Sequence, residues 1–360
     1  MPEFRDRIPM QRMDFGFPPE ADRRSLWAPD GAAGYSENDG LWFYDAGQGV
    51  GVHTWIGHSG DQFPNAFERM TVFLPGGELL IKVNPGPSHT DATQSGEHFW
   101  ARCDAPYERW SYGYDGPVIR TSVEALRRAA PAAGAATESL VYEAHARMLA
   151  PPFPQGAFYR NQADYHATST YRYNGGFRFE QLLFADATLR IDGRWLRISG
   201  PGMRTHRKGA RVMESSTAAP VKKYAGHRWM HAIFPSGRAI YYMWHGAETP
   251  TETPEAYVRE GGVFYRAEVV RPMPMSLAGN GDRWAFELTY ALGALHVDCE
   301  VVADSFEMLL AEEFFGVQWE TKNPDALAMS QAFVRYRCEG EETVAMMERS
   351  IGLKTLERPR

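Results

Sequence analysis

From Asp39 onward the chain alternates apolar and polar positions in short runs interrupted by Gly, Asn, Asp and Pro. Leu41-Trp-Phe-Tyr44, Gly49-Val-Gly-Val-His-Thr-Trp-Ile56 and Glu68-Arg-Met-Thr-Val-Phe-Leu74 are aromatic or β-branched and read as strands. Leu74-Pro-Gly-Gly-Glu78 reads as a hairpin turn, with Leu79 to Val83 as its return strand. The pattern continues from Phe99 to Tyr114 and from Leu140 to Met148, and resumes near Tyr171. Asp192-Gly193 between Ala187–Ile191 and Trp195–Ile198 is the strongest hairpin signal. Later strands are expected at 262–270, 283–292, 294–302, 305–312 and 329–338. Two helices are expected. Ser122 (or Thr121) caps the first, which Pro131 stops, and the second covers Glu342–Ile351. Residues 1–35, with five prolines among many charges, read as an extended arm laid over the body. Short strands punctuated by turns, with no repeat, predict an all-β fold of antiparallel barrels or sandwiches.

One hairpin carries unusual chemistry. Between His227 and His245 stand three histidines, two tryptophans and two tyrosines. With Pro235-Ser-Gly-Arg238 as the turn, Phe234 faces Ala239 and His231 faces Tyr242. Alternation then gathers His227, Trp229, His231, Tyr242 and Trp244 on one face. His231 has two readings: a core histidine held by a carbonyl or by Tyr242, or an acid/base tuned by aromatic walls. A zinc pair with His227 is disfavoured, because four residues along a strand span about 13 Å.

Upstream lies Gly200-Pro-Gly-Met-Arg-Thr-His-Arg-Lys-Gly-Ala-Arg211, read as a glycine-bracketed turn crowded with basic residues. Either these side chains are solvated, or at least one of Arg204, His206 and Arg211 lines a cavity. A buried guanidinium needs a carboxylate or a ligand, and Glu180 and Glu68 are the candidates. In the first half, His53 and Trp55 share a strand face, and His58 follows Gly57.

Composition narrows the function classes. At 360 residues, 44% hydrophobic and 23% charged, the chain suits two soluble domains with ordinary cores. A net charge of −7 gives no footprint for nucleic acid or an anionic membrane. Cys103, Cys299 and Cys338 form neither a disulfide framework nor a zinc pair. The first residues lack the apolar run of a secretory signal and no stretch suits a membrane span, so a cytoplasmic location is expected. There is no Gly-x-Ser-x-Gly elbow, P-loop or dinucleotide fingerprint, and no cofactor or metal is implied. A monomer and a homodimer both stay open.

Glu180-Gln181, the Asp192-Gly193 turn, Gly200-x-Gly-x-Arg-x-His206-x-x-Gly-x-Arg211, the Trp-containing strand and the Phe-x-x-Gly-Arg turn together resemble the AttH-like, carotenoid 1,2-hydratase-like proteins. The upstream run Trp42-Phe-Tyr through Leu74-Pro-Gly-Gly-Glu78 is similar to their first half, and the resemblance spans roughly 35–315. It implies two lipocalin-like (calycin-type) antiparallel β-barrel domains packed together. We divide the chain into an arm (1–35), barrels at 36–198 and 199–352, and a tail (353–360). The family includes hydroxyneurosporene synthase, kievitone hydratase and Diels–Alderase-like cyclases. The resemblance therefore implies lyase or isomerase chemistry on an apolar aromatic or terpenoid molecule, with a carrier or a cyclase as alternatives. The expected catalytic residues are His206, His231, Arg204, Arg211 and Glu180. The expected substrate-binding residues are Trp55, His58, Glu68, Trp229, Tyr242 and Trp244. The family motif reads Arg-Asp-His-Ser-Trp-Gly-x-Arg, whereas this chain has Thr205, Arg207 and Lys208 at the Asp, Ser and Trp positions, followed by an apparent insertion at 214–223.

Overall fold

A computed structural model describes residues 18–23, 35–59, 65–87, 96–128, 136–154, 171–213, 224–247, 255–274, 279–309 and 327–352. Of the arm, the turn around helix α1 (Pro19–Asp22) and Tyr35 are described. The insertion at 214–223 and the tail after Gly352 lie outside these residues.

The first sheet holds β1 (Tyr35–Asp45), β2 (Val50–Ser59), β3 (Asn65–Phe73), β4 (Glu78–Pro87), β5 (Phe99–Ala105) and β6 (Arg109–Ser122). It continues with β7 (Thr137–Met148), β8 (Phe153–Pro154), β9 (Tyr171–Ile191) and β10 (Arg194–Met213). β10 pairs with β9 on one side and β1 on the other, and so closes an eight-stranded antiparallel barrel. Helix α2 (Val123–Arg128) follows β6, and Ser122 Oγ accepts the Ala125 amide as the expected cap.

The second sheet comprises β11 (Tyr224–Ile233), β12 (Ala239–Ala247), β13 (Glu255–Glu260), β14 (Val263–Arg271) and β15 (Arg283–Tyr290). It ends with β16 (Gly293–Asp304), β17 (Glu307–Leu309), β18 (Leu327–Cys338) and β19 (Glu341–Gly352). Pairing of β16 with β18 closes a second eight-stranded antiparallel barrel.

Three expectations change here. Gly200–Arg211 is continuous strand within β10, not a turn. Gly200 and Gly202 instead let β1 approach, since a Cβ there would fall 1.9 Å from the Tyr44 carbonyl oxygen and 2.0 Å from that of Trp42. The division after residue 198 falls inside β10, and every pairing of that strand to Met213 lies in the first barrel. The segment expected as a helix at 342–351 is β19. Its Ala, Met and Glu content favours helix locally. Both of its faces are buried, however, so no alternation marks it as a strand, and pairing with β11 and β18 outweighs propensity.

Alternation sorts the apolar residues into three cores. Leu41, Phe43, Val52 and Met70 fill the first barrel, and Met230, Tyr242, Phe286 and Val297 fill the second. The opposite faces of the same strands, including Trp42, Tyr44, Trp229, Tyr241, Tyr257 and Phe333, meet in a third cluster between the barrels. Phe333 packs 5.1 Å from Tyr44 and 5.0 Å from Phe73, and Phe153 lies 3.8 Å from Tyr257. Two polar links cross the same seam: Trp42 Nε1 donates to Gln331 Oε1 at 3.0 Å, and Arg127 reaches Asp304 at 3.4 Å.

Candidate active site between the two barrels

The seam receives its chemistry from the hairpin of β11 and β12, in a register one residue away from expectation. Phe234 N–H donates to the Arg238 carbonyl at 2.8 Å, and Gly237 N–H closes the turn on Phe234 O at 2.9 Å. Gly237 stands at φ 88°, so Pro235-Ser-Gly237 is a three-residue loop ending in a left-handed glycine. Phe234 therefore faces Arg238, His231 faces Tyr241 and Trp229 faces Met243. The slip turns Tyr242 and Trp244 away from His231. Tyr242 packs against Phe286 in the second barrel, and Trp244 packs against that core too. Neither joins the seam as expected. Trp229 does.

Glu180 arrives from β9. Its carboxylate Oε2 lies 3.3 Å from Nδ1 of His231, without hydrogen-bond alignment, and Tyr257 OH meets His231 Nε2 at 2.5 Å. Burial pushes the phenols of Tyr257 and Tyr241 far up, so Tyr257 stays protonated and can donate to Nε2. That leaves Nδ1–H as the proton facing Glu180. Arg178 adds a guanidinium 3.9 Å from Glu180 Oε1, with its Cζ 4.5 Å above the Trp229 ring. Both oxygens of Glu180, Nδ1 of His231, Nε1 of Trp229 and the hydroxyl of Tyr241 are buried with no hydrogen-bond partner among the described residues. An unsatisfied buried polar group costs about 1–3 kcal/mol, so five such atoms in one place make the seam a candidate binding site.

A second, fully bonded network adjoins it. His227 Nε2 meets Glu348 Oε1 at 2.6 Å, its Nδ1 meets Ser350 Oγ at 2.6 Å, and Gln331 Nε2 donates to Glu348 Oε2. Burial works to raise the Glu348 carboxyl, yet the His227 bond and charge hold it at about 2. Gln331 passes the chain to Trp42, which stacks on His53 at 4.5 Å and meets Trp229 edge-on at 5.3 Å. His53 is fully buried with both ring nitrogens unpartnered among the described residues, and burial drives it well below the usual histidine range. It is a neutral ring at neutral pH.

Arg204 and His206 lie elsewhere, inside the first barrel. Arg204 is paired with Asp22 at 2.5 Å and Asp39 at 2.8 Å, not with Glu180 or Glu68 as expected. Its Cζ lies 4.1 Å above Trp110. His206 is enclosed by Glu37 at 3.1 Å, Arg204 at 3.3 Å and Asp39 at 3.8 Å. Glu68 Oε1 accepts the amides of His98 at 2.8 Å and Phe99 at 2.9 Å, which ties down the start of β5. Burial raises its carboxyl against the pull of those amides. Trp55 is half-buried beneath the Arg69 guanidinium, 5.8 Å from its ring centroid. The side chains of Arg211 and His58 fall outside the described residues.

Sequence reasoning missed Tyr257, Arg178, Glu348 and Asp22. None sits in a spaced motif, and each matters through a partner on a distant strand. Thr205, standing where the family motif has Asp, pairs directly with Glu180 across β9 and β10, so a carboxylate still faces that part of the seam. Among the described residues, no three His, Cys, Asp or Glu side chains converge as metal ligands.

No known family's sequence model and no curated protein matches the sequence. Solved structures do match. A protein assigned as AttH from Nitrosomonas europaea superposes with TM-score 0.56 at 11% identity, over 96% of this chain and 98% of that one. Kievitone hydratase from Nectria haematococca superposes with TM-score 0.52 at 9% identity, over 96% of both chains. The chain thus has the tandem β-barrel fold shared by the AttH-like and kievitone hydratase-like proteins, as the motif at Gly200–Arg211 implied.

Proposed function

We propose that this protein is a cofactor-independent lyase or isomerase, of hydratase, dehydratase or related proton-transfer type, with Glu180 and His231 as its acid/base pair. Its substrate is an apolar aromatic or terpenoid molecule held at the seam beside Trp229. The observation that carries this reading is the Glu180 carboxylate: fully buried, without a hydrogen bond at either oxygen among the described residues, and 3.3 Å from an imidazole that Tyr257 orients. A hydration needs one group to protonate an alkene carbon and another to take a proton from the water that adds to its neighbour. Glu180 and His231 place a carboxylate and an imidazole side by side for those two roles. Arg178 supplies positive charge beside the carboxylate, and the indoles of Trp229 and Trp42 supply apolar walls. The fold shared with kievitone hydratase supports the reading.

His206, the other expected acid/base, has partners on both ring nitrogens inside the first barrel, so we assign it to positioning Arg204 and Asp39.

Native mass spectrometry of the purified protein against a denatured control tests the proposal, with Glu180→Gln and His231→Ala alongside. A co-purified apolar molecule that gains or loses water or rearranges with wild type, and stays unaltered with both variants, supports it. A ligand unchanged by all three proteins makes the chain a carrier. Conversion that survives both substitutions points to a cyclase acting by shape.

A further inference from the structure

Asp22 reaches Arg204 from 182 residues away and occupies a set of converging donors. Its Oδ1 takes the Arg204 Nη1–H at 2.5 Å, and its Oδ2 takes Trp110 Nε1–H at 2.9 Å and the Tyr107 backbone N–H at 2.5 Å. The Cys103 thiol sits 3.8 Å from the same Oδ2. Burial would raise this carboxyl, but Arg204, His206 and the donors bring it below the usual aspartate range, so it is an anion.

These donors are held in place by groups other than Asp22. Tyr107 lies in the turn between β5 and β6 at φ 59°, a left-handed conformation that a bulky residue adopts only when its surroundings impose it. Gln181 Nε2 donates to the Tyr107 carbonyl at 3.2 Å, and Gln181 Oε1 accepts from Arg204 Nη1 at 3.1 Å. One amide side chain thereby sets both a backbone donor and a guanidinium donor. Arg204 also keeps Asp39 at 2.8 Å, and Asp39 is braced by Tyr112 OH at 3.0 Å.

Asp22 itself comes from outside the barrel strands. A four-residue helical turn carries it, tied by Tyr107 OH to the Pro18 carbonyl at 2.8 Å and by Lys208 Nζ to the Arg23 carbonyl at 3.1 Å. A built set of anion donors is thus filled by a carboxylate carried on a four-residue helical turn.

We propose that this end of the first barrel is a carboxylate-binding site in which Asp22 is a tethered occupant. The ligand class is a small monocarboxylate, or the carboxylate end of a larger apolar acid. The site is independent of the acid/base pair at the seam, and its test does not depend on the reaction assigned there.

The experiment is chemical rescue of Asp22→Ala by sodium formate and sodium acetate, read as the thermal unfolding midpoint. Sodium chloride and acetamide serve as controls, with wild type and Asp22→Asn in parallel. Formate or acetate should raise the Asp22→Ala midpoint saturably, by about 2 °C or more. The controls should not do so, and neither wild type nor Asp22→Asn, whose site stays filled, should respond. If Asp22→Ala does not hold its fold in plain buffer, refolding with and without formate answers the same question. Equal responses of variant and wild type, equal effects of acetamide and acetate, or no recovery with formate would each overturn the proposal.

Discussion

His231 and Glu180 sit 3.3 Å apart across the seam of two barrels, one on β11 and the other on β9, both out of solvent. Among the described residues no group hydrogen-bonds the carboxylate, so the reactive role proposed for the pair and a purely structural one predict different outcomes on substitution.

Glu180→Gln separates these roles. The isosteric amide removes the desolvation cost of the buried carboxylate together with its ion pairs to His231 and Arg178, so the thermal midpoint should change little. Conversion of the bound ligand should fall by at least about 100-fold. A variant that loses stability and keeps its turnover would show the carboxylate to be structural.

Arg204→Met should act in the opposite sense. It leaves Asp22 and Asp39 buried without their cation, and breaking such a pair costs about 3–5 kcal/mol. Equilibrium denaturation in urea measures this directly. A loss under 1 kcal/mol, on the order of an exposed ion pair, would contradict the buried network.

Glu348 gives the chain a pH signature. Its folded carboxyl is held at about 2, below the ordinary 4.5, so its stabilisation is complete above 4.5 and fades as pH falls toward 2. Glu348→Gln should therefore be less stable than wild type by about 3 kcal/mol at neutral pH, and the gap should narrow steadily below pH 4.5. Unfolding curves across that range check it, and a gap independent of pH would refute the role of the charge.

Gly237→Ala tests the hairpin. A Cβ at φ 88° is strained, so a loss of about 1 kcal/mol or more is expected. The left-handed residue sets the register that aims His231 at the seam, so conversion should fall along with stability. An unchanged midpoint would mean that another turn can replace this one.

Much of the molecule is legible without tertiary information. Alternation announces the strands. Asp192 and Gly193 take up the left-handed turn at φ 50° and 75° that their identities call for, and Ser122 caps α2. Glu180, His231 and Trp229 stand out as residue types, and all three reach the seam. These features are local: they depend on backbone preferences and on a period of two residues.

What the sequence could not decide depends on closure. β10 belongs to the first barrel because β1 and β9 need a strand between them, and no local signal at residues 199–213 records that need. β19 is a strand because both of its faces are covered, which erases the alternation that would announce it. The choice between a three-residue and a four-residue loop at Pro235 moved Tyr242 and Trp244 out of the seam, since one residue reverses every side chain that follows. Asp22 finds Arg204, and Tyr257 finds His231, only once two barrels have closed and burial obliges each charge and each polar ring to find a partner.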